Sequence, residues 1–213
     1  MKTSHKLLIG FAVLVVAGML AFNISLRAEY VRLKEHPLKT TITLQPFKHI
    51  RYSSDYEIRL VSGNSYSLTM KGGILDSAQI SYSGDTLIIK GNNIYNIAVQ
   101  APQISSVSLL NRGAELNIDS TFKTPSLSIV SKSVEGRIAI SSANIDSLRI
   151  ETIPQNTVFI SNLKSTYTSF NLPNQVSLRL ENCQLQHPVF NLGDSTEVTT
   201  VGKNGLQVLS NTK

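Results

Sequence analysis

An all-β solenoid behind a single N-terminal membrane helix is the fold class this sequence predicts. Three observations carry it. Residues Leu7 to Leu26 hold no charged side chain. From Tyr56 onward, short x-apolar-x-apolar segments recur about every twenty residues. The 213 residues include 27 Ser, 16 Thr and 16 Asn, the currency of short strands joined by polar turns.

Composition narrows the function classes. Apolar residues make up 41% and charged residues 16% of the chain, so a core can form and disorder is excluded. A coiled coil would need far more Ala, Glu, Lys and Leu. A single Cys rules out a disulfide scaffold or a Cys-rich zinc site. The net charge is +6, of which two units fall before residue 31 and the rest is thinly spread. Nucleic-acid binding needs a concentrated basic patch, so no nucleic-acid partner is expected.

Residues 1–34 read as a signal-anchor and juxtamembrane linker. Lys2, His5 and Lys6 precede LLIGFAVLVVAGMLAF, the apolar run from Leu7 to Phe22. Counted on to Leu26 the uncharged stretch is 20 residues, a helix of about 30 Å, which matches one hydrocarbon core. Leu7, Phe11, Val15, Leu20 and Phe22 are its expected membrane-spanning residues. A cleaved signal peptide needs a small-x-small site after the run. Ala28 has Leu26 at the −3 position and Ala21 has Met19, so an uncleaved anchor is expected, with secretion after cleavage as the alternative. Lys2 and Lys6 stand before the run, and Arg27, Arg32, Lys34 and Lys39 after it, so charge bias leaves the orientation open. No Cys directly follows the run, which closes the lipoprotein route.

Residues 35–205 read as the solenoid and 206–213 as a tail. One column of strands runs Leu68/Met70, Leu87/Ile89, Val107/Leu109, Leu127/Ile129, Leu148/Ile150, Phe170/Leu172 and Phe190/Leu192. A second runs Ile58/Leu60, Ala78/Ile80, Ile97/Val99, Leu116/Ile118, Ile138/Ile140, Val158/Ile160, Leu178/Leu180 and Val198/Thr200. Each pair alternates with polar residues, as a strand with one buried face does. Turn formers follow at fixed offsets: Asn111, Ser131, Thr152, Asn174 and Asp194 after the first column, and Ser120, Ser142, Asn162, Asn182 and Gly202 after the second. Two short strands per repeat fit stacked coils, because no coil buries its apolar stripe alone. Beyond Ile104 the solenoid is favoured over an antiparallel sandwich. Between Thr40 and Gln100 the hairpin signals Ser62-Gly63-Asn64 and Ser83-Gly84-Asp85 leave full coils and capping hairpins both open.

Three segments carry a family resemblance: YEIRLVSGNSYSLTMKG (Tyr56 to Gly72), ISYSGDTLIIKG (Ile80 to Gly91) and NIAVQAPQISSVSLLNRGAELNI (Asn96 to Ile118). In this order they resemble the bacterial head GIN domain family of auto-transporter adhesins, common in Bacteroidetes, over roughly Phe47 to Gly202. The resemblance implies a right-handed parallel β-helix exported to the cell envelope. Joined to the anchor, it implies an inner-membrane protein with its β domain in the periplasm and an adhesin-like binding or scaffolding surface. A glycan or an envelope protein is the implied partner, beside the membrane itself. The glycine-rich turns usual in that family are replaced here by LNRGAE, SKSVEG, TIPQNT, LPNQVS and LGDSTE.

Catalytic signatures are missing from the sequence pattern. A polysaccharide-cleaving β-helix needs clustered carboxylates, often with calcium. Six Asp and eight Glu are dispersed, and Asp119, Asp146 and Asp194 fall at different offsets in the repeat. His36, His49 and His187 share no metal-ligand spacing, and Cys183 reads as a corner residue without a His or Asn partner. A non-enzymatic protein without metal or cofactor is expected; a carbohydrate-active β-helix enzyme and an envelope sensor or assembly partner are the alternatives. On outward positions Phe159, Arg137 and Arg179 are candidate contacts for a sugar or protein, with Arg137 set to pair with Glu115 of a neighbouring coil. A strand shifted by one residue would bury Phe159 instead. Five of the six Asp precede Ser or Thr, and these dipeptides resemble O-glycosylation acceptors of Bacteroidetes envelope proteins. Ser77, Thr86, Ser120, Ser147 and Ser195 are the candidates, against a plainer reading of the same dipeptides as turn starters.

Overall fold

The structure is a computed structural model that describes residues 2–35, 39–71, 79–91 and 97–202. Helix α1 (Lys2–Glu35) runs 34 residues, about 51 Å at 1.5 Å per residue. Leu7, Phe11, Val15, Leu20 and Phe22 all lie in it. Its stretch Val13–Tyr30 is long and apolar enough, by length and composition, to cross a membrane. Phe11, Leu14, Met19, Phe22 and Ile24 are each more than 60% exposed.

The second unit is mostly β. Among the described residues its strands are β1 (Lys39–Thr43), β2 (His49–Ser53), β3 (Glu57–Ser62), β4 (Ser67–Lys71), β5 (Ile80–Ser83), β6 (Thr86–Lys90), β7 (Ile97–Ala101), β8 (Ser106–Leu109) and β9 (Glu115–Ile118). They continue as β10 (Lys123–Ser131), β11 (Arg137–Ser141), β12 (Asn144–Thr152), β13 (Thr157–Ser161), β14 (Lys164–Leu172), β15 (Ser177–Glu181), β16 (Gln184–Leu192) and β17 (Glu197–Val201). From β8 on, even strands stack in one sheet and odd strands in the other, and every neighbouring pair is parallel. The result is the expected β-solenoid, about five turns of coils near 21 residues.

The second apolar column is as read from Leu116 onward. Leu116, Ile138, Val158, Leu178 and Val198 are successive register partners. Ile138, Val158 and Leu178 are fully buried. Each such side chain contributes about 1.5–3 kcal/mol by leaving water.

The first column slips by two residues at two places. Val107 pairs with Ile129, not Leu127, and Ile150 pairs with Phe170 while Leu148 pairs with Thr168. The reason lies in the nine-residue strands β10, β12, β14 and β16. Each has two consecutive outward residues, as at Pro125-Ser126, Asp146-Ser147 and Gln186-His187. Inward parity flips there, so the strand bends and its first residues form a third wall. This wall adds an inward column that the sequence reading missed: Phe122, Ala143, Leu163 and Cys183, all buried. Some inward places on the bent strands are polar. Ser131 and Thr152, read as corner residues, face inward at 1% and 6% exposure, and Thr168 does so at 2%.

Left-handed residues make the corners. Ser142, Asn162, Asn182 and Gly202 have φ of 54°, 51°, 50° and 109°, as their shared offset suggested, whereas Ser120, read with them, lies in a turn without a left-handed φ. Their N–H groups climb the stack: Ser142 donates to Ser161, Asn162 to Glu181 and Asn182 to Val201, each at 2.8 Å. At the opposite corner Gly113, Glu135, Gln155 and Gln175 have φ of 71°, 58°, 66° and 62°. Six of these eight corner places are held by side-chain-bearing residues in the left-handed conformation that glycine adopts most readily.

The N-terminal end breaks sequential order. In both sheets the coil β2–β3 lies between β6–β7 and β8–β9. Strand β7 is therefore inserted between β3 and β4, parallel to the first and antiparallel to the second. Ser62-Gly63-Asn64 is not a hairpin, because that turn must cross the end of β7. A Cβ on Gly63 would overlap the Gln100 side chain that passes beneath it, and the Gly63 N–H donates to Ala101. Ser83-Gly84-Asp85 is a hairpin, joining antiparallel β5 and β6 with Gly84 at φ 60°. Leu68 and Met70 accordingly sit in the nine-stranded sheet rather than in the first column, and Ile80 sits in the eight-stranded one. Ile50 and Tyr52 on β2 fill the first-column places between Leu87/Ile89 and Val107/Leu109. Ala78 lies outside the described residues.

Candidate binding walls of the solenoid

Phe159, Arg137 and Arg179 lie on the outer face of the odd-strand sheet. Val158 and Ile160 are buried and Phe159 is half-buried between them, so the outward parity holds. Phe159 and Arg179 are register partners, and the Arg179 guanidinium lies 5.9 Å from the Phe159 ring centroid. Glu181 fixes that guanidinium from the same strand, Nε to Oε1 at 2.8 Å. Arg137 stands apart beside Thr157, one column over. It is the register partner of Glu115, yet the two form no ion pair. Other charges do pair: Arg59 with Glu57, Arg149 with Glu151 and Arg112 with Glu135. The last pair is bidentate, and the Arg112 guanidinium holds the Glu135 carboxyl below the usual carboxylate range.

The third wall differs. Its outward positions repeat at the coil step: Asn144, Lys164 and Gln184 in one row, Asp146, Thr166 and Gln186 in the next. With Ser165 they line a shallow groove of about 170 Å³. None of the six outward side chains takes a hydrogen bond or ion pair from another described residue. Beside the groove, at the bend, Tyr167 is 60% exposed and stacks on His187 of the next coil, centroids 5.4 Å apart and planes 25° apart. Below Tyr167 the register partner is Ser147, a small side chain. The sequence reading missed this wall because it tracked apolar pairs, and the bend hides the wall from a period-two pattern. The available signal was the twenty-residue spacing of Asn144, Lys164 and Gln184.

The glycosylation candidates scatter over turns and bends. Ser120 and Ser195 are exposed, whereas Thr86 and Ser147 are half-buried; Ser77 lies outside the described residues. The turn role of these dipeptides is visible at Asp119, whose carboxylate accepts from both the N–H and the hydroxyl of Thr121.

Nucleophilic chemistry has two places to look. Cys183 is buried, its sulfur 3.4 Å from the carbonyls of Ile160 and Glu181, and burial pushes its thiol up. A thiolate is therefore disfavoured. From β2, His49 Nδ1 lies 2.7 Å from Ser106 Oγ on β8, and its Nε2 lies 3.6 Å from Asp85 in the turn before β6. Acyl transfer at Ser106 would need free N–H donors beside it. The N–H groups of Ser105 and Ser106 both donate to the Lys48 carbonyl instead, at 2.8 and 3.4 Å. Among the described residues, no group of three or more His, Cys, Asp or Glu is placed to hold a metal ion. His36 lies outside the described residues.

No protein-family model and no curated protein matches the chain. Two solved structures are similar to it over most of their length. One is a "putative adhesin" from Parabacteroides distasonis ATCC 8503, with TM-score 0.34 and 8% identity, covering 76% of this chain and 96% of that one. The other is a "putative adhesin" from Parabacteroides merdae ATCC 43184, with TM-score 0.26 and 11% identity, covering 78% and 96%. The resemblance to the head GIN domain family therefore rests on the sequence motifs quoted above.

Proposed function

We propose that the protein is a non-enzymatic, membrane-anchored component of the bacterial cell envelope whose solenoid presents an adhesin-like binding wall. The observation that carries this reading is the third wall, where six polar side chains line one groove and none takes a hydrogen bond or ion pair from another described residue. Binding rather than catalysis fits the groove's chemistry. Asp146 is the one carboxylate lining it, and glycoside hydrolysis uses two. Helix α1 supports anchoring, since an apolar stretch such as Val13–Tyr30 inserts into lipid far more firmly than an interfacial helix. Ser120 and Ser195, exposed in turns, are the glycosylation acceptors this reading favours.

Fractionation tests it. The protein is expected in the membrane fraction after an alkaline carbonate wash, with an intact mass that includes residues 1–26. External protease is expected to remove the solenoid in spheroplasts. A soluble protein beginning near Phe22 or Glu29 would replace the anchor with a cleaved signal. A solenoid protected until lysis would place it in the cytoplasm and end the envelope reading.

A further inference from the structure

We infer that the third wall holds a site for a neutral pyranoside, seated over the Asp146-Ser147 bend against the open face of Tyr167. This deepens the binding role proposed above and rests on it. The occupant follows from the lining. The groove lining holds one carboxylate, Asp146, and one ammonium, Lys164, with Lys123 one coil below Asn144 in the same row, so no cluster of one sign faces the occupant. The Asn144 amide and the Thr166 hydroxyl, each within one coil of the bend, both donate and accept, as sugar hydroxyls do. A carboxylate such as Asp146 accepts strong bonds from neutral hydroxyl donors.

The apolar part of the site is the Tyr167 ring. One of its faces is covered by His187, which sets the ring's tilt at 25° to its partner. The other looks toward Ser147, too small to cover it, which is why Tyr167 remains 60% exposed. A pyranose presents a flat array of C–H groups that suits such a face. Because Asp146 adjoins Ser147, a ring stacked on Tyr167 brings its hydroxyl edge to the Asp146 carboxylate and toward Asn144. The groove's volume of about 170 Å³ is well below the roughly 300–1,000 Å³ of deep ligand pockets. It suits one ring of a surface-held glycan and predicts weak, repeatable binding rather than tight capture.

Saturation-transfer NMR and calorimetry on the full chain decide the matter, with lauryldimethylamine oxide as a sugar-free detergent. The probes are the methyl pyranosides of glucose, galactose, mannose and N-acetylglucosamine, with glucuronate and glucosamine as charged controls. At least one neutral pyranoside is expected to saturate in the millimolar range. Tyr167→Ala is expected to weaken it at least about tenfold and Asp146→Asn several-fold, while Thr157→Ala, exposed on the odd-strand sheet, leaves it unchanged. Unchanged urea midpoints in these exposed-site variants separate lost contacts from lost fold. Absence of saturable binding by every neutral probe overturns the proposal, as does binding only of a charged control or binding that survives Tyr167→Ala. Fractionation bears on the anchor and this titration on the groove, so either can fail alone.

Discussion

Gly136 and Asn156 hold the same corner of successive coils, and the Asn156 amide oxygen lies 2.6 Å from where a Cβ on Gly136 would stand. Asn156 is 2% exposed, and its amide nitrogen donates to the carbonyls of Ser133 and Ile153, both at 2.8 Å. Its oxygen accepts from the Ser131 hydroxyl at 3.0 Å. One buried side chain thus joins two coils, and the next coil carries Val176 at this place.

Asn156→Val should therefore remove about 2–3 kcal/mol, because it strands buried polar groups that have no other partner. Gly136→Ala should cost about 1–3 kcal/mol by displacing the amide. In urea unfolding the double variant should lose less than the sum, since Gly136 acts through Asn156. Additive losses would show that the glycine serves something else.

The same corner shows what the sequence could and could not reveal. Alternation at Ile138/Ile140 and Val158/Ile160 named the inward residues, because a half-buried strand has only two faces. It could not show that β12 bends after Asp146, since a bend is an absence of alternation. Nor could it show that Ile80 and Leu68 lie in sheets opposite to those expected. Sheet membership depends on which strands pair at long range, and β7 enters between β3 and β4 only in three dimensions. The third-wall groove stayed hidden for a related reason: its residues are polar in outward places, which is where polar residues ordinarily stand. Phe159 was legible because an aromatic on an outward parity breaks that rule.

Buried hydroxyls offer a second prediction. The Thr152 and Thr168 Oγ1 atoms are buried with no hydrogen-bond partner among the described residues. Thr168 lies between Leu148 and Pro188 in an otherwise apolar stack. Thr168→Val and Thr152→Val keep the shape and remove the unpaired group, so each should stabilise the solenoid by about 1 kcal/mol. Thermal unfolding of the full chain in detergent reads this as a rise in Tm. A fall would mean that these hydroxyls hold partners in solution.

The corner conformations predict a third effect. A non-glycine residue held left-handed is disfavoured by roughly 1–2 kcal/mol. Gln155 and Gln175 are held there while their backbone N–H groups donate along the stack, to Gln175 and Ser195. Glycine keeps those bonds and relieves the strain, though it loosens the unfolded chain by roughly 0.4–1 kcal/mol. Gln155→Gly and Gln175→Gly should gain about 0.5 kcal/mol each. Asn162→Gly should gain less, because asparagine tolerates this region better. Equal losses in all three variants would show that the corner side chains contribute packing that outweighs backbone strain.

Alkaline stability should report on Tyr52. This residue is fully buried on β2, and its hydroxyl donates to the Tyr56 carbonyl at 3.0 Å. Burial disfavours the phenolate and pushes the Tyr52 pKa from 10.0 to about 12. The folded value lies above the unfolded one, so the stabilisation is full below about pH 10 and disappears as pH rises through about 12. A shift of that size is worth about 3 kcal/mol over the window. Other phenols and lysines titrate there too, so the useful comparison is with Tyr52→Phe. At neutral pH the variant should be less stable by about 1 kcal/mol, having lost one hydrogen bond. Between pH 10 and 12 the urea midpoint of the unaltered protein should fall more steeply than that of the variant, so that the gap closes at about pH 11 and then reverses. Parallel curves would mean that Tyr52 ionises without unfolding the coil, and hence that the stack between Leu87/Ile89 and Val107/Leu109 opens to water in solution.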